Sequence, residues 1–269
     1  MSRPKKSLGQ NFLVDRNLQR KIVGLLEAGP EDEVLEIGPG RGALTAHLAR
    51  TVGRLVLVEL DDELVPRLRE RFGGVPGVEV VHADILEVRL EELTEDPAAL
   101  RVIGNIPYNI TSPILFSLLE RDPRPARIVL MVQREVADRI VAPPGDKTYG
   151  ALSVGVQAVA DARRALDVGR QVFRPVPDVD SAVVVLDPHR STRVVGPLAE
   201  ALRALTRACF ARRRKQLRRI LRDAYGVRPE EADDLAASIG VDPRARPETL
   251  APEQFVELAD RLPAALSHD

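Results

Sequence analysis

Between residues 33 and 142, short apolar runs alternate with segments of helical period. This alternation constrains the fold more than any other feature of the chain. "EVLEIG", "RLVLVEL", "VEVVHADIL", "RVIGNIPY" and "RIVLMVQ" read as strands, and "ALTAHLAR", "DELVPRLRERF", "PILFSLLE" and "REVADRIVA" as helices. A strand apolar at successive positions has both faces buried. Such strands joined by helices imply an α/β fold, a parallel sheet covered on both sides. Beyond Ala151 a further helix ("LSVGVQAVA") and two strand candidates, "RRALDV" and "SAVVVLD", follow. These two strands are expected to complete the sheet as an antiparallel hairpin.

Near Pro188 the pattern changes. "DPHRSTRVVGP" reads as a linker, and the periodic segments after it are all helical, over 198–210, 215–224, 230–239 and 252–262. An α/β domain over 1–187 and a small all-helical domain over 188–269 are therefore expected. At 44% hydrophobic and 29% charged, the 269 residues can bury a real core and are not those of a disordered chain. One cysteine, Cys209, excludes an intramolecular disulfide framework and a cysteine-built zinc site. His47, His82, His189 and His268 fall in no metal-ligand spacing. No uninterrupted apolar run is long enough for a bilayer, and no signal-type stretch follows the N-terminal basic residues. The expectation is a cytoplasmic monomer with neither metal nor membrane partner.

"LEIGPGRGALT" sets Gly38, Gly40 and Gly42 between a strand and a helix. Glycines there permit a tight turn and close approach of a ligand to the backbone. Glu59 ends the next strand, about 20 residues on, where an acid can take both ribose hydroxyls of a nucleoside. Gly38-x-Gly40-x-x-Ala43 also fits a dinucleotide fingerprint, so this loop alone leaves a nicotinamide oxidoreductase open. Asp84 in "HADIL" ends the third strand on the same edge of the sheet. A glutamate for the ribose and an aspartate for an adenine amine suit a nucleoside better than a pyrophosphate, which a second carboxylate would repel. Taken alone, Asp84 also fits a helix cap or turn.

The fourth strand runs into Asn105-Ile106-Pro107-Tyr108. Ser112 as N-cap and Pro113 at the first helical position give the following helix a local cause. They leave Asn105 and Tyr108 unexplained, unless these merely cap a turn and pack on the core. A chemical cause is available. The lone pair of an exocyclic base amine is delocalised into its ring. An amide carbonyl and a backbone carbonyl accepting its two N–H groups would hold it in line with a methyl donor and favour pyramidal nitrogen. A tyrosine ring stacked on the base adds about 1–3 kcal/mol. Positioning then supplies most of the catalysis, without a strong base.

At these motifs the sequence resembles a known family, the S-adenosylmethionine-dependent rRNA adenine dimethyltransferases of the bacterial KsgA (RsmA) type. "KKSLGQNFL" resembles its N-terminal signature, "VLEIGPGRGALT" its cofactor loop and "NIPYNITSPILF" its catalytic motif. "TYGALSV", "FRPVPDVDSAVV" and "FARRRKQLRRIL" follow in the family's order. The resemblance implies a Rossmann-like seven-stranded methyltransferase sheet with a small helical C-terminal domain. It implies S-adenosylmethionine contacts at Asn11, Leu13, Gly38, Gly40, Glu59, Asp84 and Asn105. Asn105, Pro107 and Tyr108 match the catalytic motif, and Phe173 matches an aromatic forming the other wall of the base pocket. The implied activity is N6,N6-dimethylation of two adjacent adenosines near the 3′ end of 16S rRNA, during small-subunit biogenesis. The rivals are a 23S rRNA methyltransferase of macrolide-resistance type, the oxidoreductase, and a non-enzymatic ribosome-assembly factor. "TYGALSV" and "ARRRKQLRR" favour the small-subunit reading.

The net charge of −1 conceals a segregated distribution. Residues 201–222 hold nine basic side chains and no acid, whereas residues 223–269 hold eleven acids against four basic residues. Arginines at that density suit a phosphate backbone, and Arg212, Arg213, Arg214, Lys215 and Arg218 are the expected RNA contacts. The alternative is a solvated helix face, since Leu202, Leu205, Leu217, Ile220 and Leu221 mark a buried stripe. Arg3, Lys5 and Lys6 would extend the basic track.

Overall fold

Buried strands and the helices that cover them organise the computed structural model, which describes residues 10–191 and 193–262. Arg3, Lys5 and Lys6 lie outside the described residues. The chain divides into two units.

The first unit is built on a seven-stranded sheet. Its strands are β2 (Glu33–Ile37), β3 (Arg54–Glu59), β4 (Val78–His82), β5 (Arg101–Asn105), β6 (Arg127–Gln133), β7 (Ala160–Val168) and β9 (Ser181–Pro188). A short pair made by β1 (Phe12–Leu13) and β8 (Phe173–Arg174) stands apart from this sheet. The order across the sheet is β4-β3-β2-β5-β6-β9-β7. Pairing is parallel from β4 through β6, and β9 runs antiparallel to β6. Both faces of the central strands are buried: Leu55 and Leu57 join one apolar cluster, while Val56 and Val58 are buried on the other side. This is why the strands read as continuous apolar runs. The helices α1 (Arg16–Gly24), α2 (Thr45–Leu48), α3 (Val65–Phe72) and α4 (Thr111–Leu119) alternate with them. Asp15 caps α1 by accepting from the Leu18 amide at 2.9 Å.

The strand order reverses between β2 and β5. From β2 the chain steps to β3 and β4 on one side, and from β5 to β6 on the other. In open parallel sheets that switch point, outside the C-terminal strand ends, leaves a crevice for ligands.

The second unit takes in residues 120–122 and 138–160 and the described residues from 191 on. Its helices include α6 (Ala151–Gln157), α7 (Gly196–Phe210), α8 (Leu217–Tyr225), α9 (Pro229–Ser238) and α10 (Pro252–Arg261), while α5 (Arg134–Val141) begins in the first unit. A single cut at 188 does not describe this division, because 138–160 pack with the C-terminal helices. Tyr149 of "TYGALSV" supplies the reason. Fully buried, it meets the Phe210 ring edge-on at 5.8 Å, and its hydroxyl donates to the Leu250 carbonyl at 2.8 Å. Phe210 in turn packs on Phe255, with ring centroids 5.7 Å apart. Residues 138–160 thus supply part of the helical unit's core.

Candidate active site

At the switch point lies a cavity of about 270 Å³, near the lower end of the roughly 300–1,000 Å³ usual for small-molecule sites. Asn11, Leu13, Gly38, Gly40, Glu59, Asp84, Asn105, Pro107 and Tyr108 all line it. Three strand ends, the loop after β2 and the N-terminal segment through β1 therefore bring these residues to one place.

The loop after β2 needs its glycines. Gly38 and Gly40 have φ of +63° and +59°, the left-handed region that side chains rarely adopt. At Gly40 a Cβ would also stand 3.1 Å from the Phe12 ring. Glu59, 6% exposed, accepts from the Gly40 amide through Oε2 and from the Asp61 amide through Oε1, both at 2.9 Å. Burial raises its pKa above the ordinary carboxylate value, and those amides oppose the rise. Asp84 uses Oδ1 to accept from the Leu86 amide at 2.9 Å. The turn reading of Asp84 and its place in the cavity wall hold together.

At the end of β5, Asn105 Nδ2 donates to the Asn11 backbone carbonyl at 2.9 Å. One N–H of the amide is thereby engaged, and Oδ1 is the end able to accept. Pro107, with φ −58° and ψ 137°, leads into a single 3₁₀ turn, Tyr108–Ile110. The Tyr108 hydroxyl is 2.6 Å from Ser181 Oγ on β9, which fixes its ring, and burial raises the pKa of its phenol.

Two expectations fail here. Ser112 is not the N-cap of α4: the 3₁₀ turn runs directly into the helix, which starts at Thr111, so Ser112 and Pro113 lie in its first turn. Phe173 is not a wall of this cavity. It is fully buried on β8 opposite Leu13, within the apolar cluster that includes Ile22, Leu57 and Ile103.

Other wall residues escaped the sequence reading. Phe12 packs on Gly40, and Arg41 stacks over its ring at 4.3 Å. Leu60 and Leu86 line the cavity yet are 47% and 39% exposed, which folding alone does not require. Glu36 is 2% exposed and accepts from Thr45 Oγ1 at 2.7 Å. Burial, reinforced by the charge of Glu59, pushes its pKa up to about 8. An acid flanked by Leu35 and Ile37 within a buried strand was the legible signal for Glu36.

The basic tract lies in the second unit. Arg212 and Arg214 are exposed. Arg213 donates to the Lys147 carbonyl at 3.0 Å, Lys215 pairs with Asp223 at 2.9 Å, and Arg218 lies 4.0 Å from Asp233.

Residues 1–263 match the family described as ribosomal RNA adenine dimethylase. The chain belongs to that family. Among dimethylase relatives, the ribosomal RNA small subunit methyltransferase A of Geobacter metallireducens is 44% identical over 260 residues, covering 96% of this chain and 94% of that one. The protein of the same name from Lactiplantibacillus plantarum is 42% identical, over 96% and 90%. A dimethyladenosine transferase structure from Plasmodium falciparum superposes with a TM-score of 0.79 at 27% identity, over 92% of this chain and 95% of that one. The 23S rRNA methyltransferase ErmE superposes with a TM-score of 0.71 at 31% identity, over 94% and 99%. Dimethylase membership removes the oxidoreductase reading that the glycine loop alone had left open.

Proposed function

We infer that this protein transfers methyl groups from S-adenosylmethionine to the N6 amines of two adjacent adenosines near the 3′ end of small-subunit (16S) rRNA, giving N6,N6-dimethyladenosines. The observation that carries the chemistry is the orientation of Asn105. Its nitrogen is held by Asn11, so its carbonyl oxygen is the group presented to an amine.

The cavity fits the cofactor through its donor and acceptor set. Glu59 is the acceptor for the ribose hydroxyls, and the second oxygen of Asp84 for the adenine amine. Leu60 and Leu86 offer apolar faces, and the Gly38–Gly40 backbone allows close approach. Asn11 and Leu13 cover the site from the N-terminal side. When bound, the cofactor supplies an electrophilic methyl group on a sulfonium. Every remaining contribution is positional. Asn105 Oδ1 accepts one N–H of the target amine. Pro107's carbonyl already accepts from the Ile110 amide at 3.2 Å, so we assign the second acceptor to the carbonyl of Ile106, which also lines the cavity. Pro107 holds that carbonyl in place through its fixed φ. Tyr108 stacks on the base, its ring tied by Ser181. The amine loses its proton after attack, so no side chain need act as a strong base. Arg212 and Arg214, with Lys215 and Arg218 able to exchange weak surface partners for phosphate, engage the RNA backbone. We take the substrate to be an assembling small subunit.

The small-subunit reading is supported by relatives of that name at 42–44% identity, against 31% for the large-subunit enzyme. Incubation with labelled S-adenosylmethionine and either undermethylated small subunits or large-subunit RNA tests it. Label recovered as dimethyladenosine in the small-subunit RNA is expected. Label confined to the large-subunit RNA would overturn the assignment.

A further inference from the structure

Asn105 can accept from an amine only if its carbonyl end faces the amine, and the carbonyl of Asn11 selects that end. Asn11 belongs to no strand of the main sheet. It sits in a strap, residues 10–13, whose Gln10 bonds Asp61 just after β3, whose Asn11 bonds Asn105 at the end of β5, and whose Phe12 meets Gly40 in the loop after β2. On one side of Asn11 the strap is well tied. Phe12 and Leu13 pair with Arg174 and Phe173, the Phe12 ring packs on Gly40, and Gln19 Nε2 donates to the Leu13 carbonyl at 3.0 Å. On the other side, Gln10 Nε2 donates to Asp61 Oδ2 at 2.7 Å.

Asp61 is built to serve as that tie. It is 2% exposed. Its Oδ1 accepts from the Glu63 amide at 2.9 Å, which aims Oδ2 at Gln10, and its own amide donates to Glu59 Oε1. A buried carboxylate accepting an amide N–H is a charge-assisted bond, stronger than a neutral one.

We propose that Gln10 and Asp61 form a latch that positions the Asn105 amide for methyl transfer. The proposal rests on the function inferred above. With the latch closed, the Asn11 peptide is held from both sides and its carbonyl stays opposite Asn105 Nδ2. With it open, that carbonyl can turn away and Asn105 loses the partner that orients it. Asp61 and Gln10 are positioning residues, acting on the amine through Asn11 and Asn105. The same Asp61 supports Glu59 through its backbone, so one residue links the ribose acceptor of β3 to the amine acceptor of β5.

Gln10→Glu sets two carboxylates against each other while removing none of the amides that donate to Glu59. The expected result is a kcat lower by about 10- to 100-fold, the scale of a misplaced reacting group, with KM for cofactor and for RNA within about threefold. Gln10→Glu combined with Asp61→Asn reverses donor and acceptor, remakes the bond and restores kcat. Hydrogen exchange of the residue 11–14 amides in the free protein reads the latch without any substrate. It should speed up in Gln10→Glu and return in the double variant. Unchanged kcat in Gln10→Glu, a defect confined to KM, a double variant no better than Gln10→Glu, or unchanged exchange would each overturn the latch. If the unmodified protein methylates no small-subunit RNA, the inferred function falls, and the exchange result still decides whether the latch exists.

Discussion

Asn105 donates its side-chain amide to the backbone carbonyl of Asn11, 94 positions earlier in the chain, at 2.9 Å. The bond joins the end of a central strand to a segment outside the main sheet. It also turns the donor end of the amide toward Asn11, so that under the proposed function Oδ1 is the end that meets the target amine. Asparagine suits that role, because its planar amide carries N–H donors at one end and an acceptor oxygen at the other.

Asn105→Asp tests that role. The substitution keeps the size and replaces the donor with an acceptor, so the side chain is repelled by the Asn11 carbonyl. Single-turnover methyl transfer should slow by about 100-fold or more, while RNA binding stays within a few fold. Near-normal turnover would remove Asn105 from the mechanism.

Tyr108 separates into a ring and a hydroxyl. Tyr108→Phe loses the bond to Ser181, about 0.5–1.5 kcal/mol, and keeps the stacking face, so kcat/KM should fall less than about tenfold. Tyr108→Ala loses the face as well, a further 1–3 kcal/mol, roughly 5- to 150-fold. Equal losses in the two variants would show that the ring does not stack on the base.

Phe173 should behave as a core residue. Phe173→Ala is expected to cost about 3–5 kcal/mol of stability, read by urea unfolding. Phe173→Leu keeps most of the buried volume and should keep kcat within about threefold. A large kcat defect in a well-folded Phe173→Leu would return the residue to the base pocket.

The residues differ in how much of this the sequence could reveal. Strands buried on both faces announce themselves as apolar runs, and four strand ends carrying Gly38, Glu59, Asp84 and Asn105 were readable from spacing. Phe173 was not, because an aromatic beside a proline-rich turn reads the same whether it enters a pocket or the core. The start of α4 was missed because Ser112 and Pro113 make a plausible cap, and nothing local signals that a 3₁₀ turn already carries the chain into helix. Residues 138–160 read with the sheet because they are contiguous with it. Phe210 and Leu250, the partners of Tyr149, lie 61 and 101 positions further along the chain. The Gln10–Asp61 bond is likewise long-range, and each residue alone looks like an ordinary polar surface position.

Glu36 makes stability depend on pH. Its folded pKa is about 8 against an ordinary value of 4.5. Between those values the native state keeps a proton that the unfolded chain has released. Stability therefore falls as pH rises through this window, and the loss is complete above about pH 8. Glu36→Gln imitates the protonated form and can still accept from Thr45. In cofactor-free protein its Tm should match that of the unmodified chain near pH 5, exceed it increasingly up to about pH 8, and keep a constant lead above that. A Tm difference that does not change with pH would rule out a retained proton on Glu36.

The basic tract holds two kinds of arginine, and substitution should separate them. Arg212 and Arg214 project from the turn after α7 and are exposed. Arg213 is anchored by the Lys147 carbonyl and lies over the Phe210 ring, 6.0 Å from its centroid. If the first two meet phosphates, each contributes counterion release. Removing both should then flatten the slope of log affinity against log salt by about two, leaving kcat at saturating RNA unchanged. Arg213→Ala should do something else: it removes a tie between residues 138–160 and the C-terminal helices, costing about 0.5–1.5 kcal/mol of stability. Binding isotherms across a salt series for the Arg212→Ala, Arg214→Ala pair, set beside thermal unfolding of Arg213→Ala, distinguish the two roles. An unchanged salt slope in the pair would move the RNA contact elsewhere on the protein. It would leave the nine basic residues of 201–222 as a solvated face, whose density reflects helix packing rather than a nucleic-acid partner.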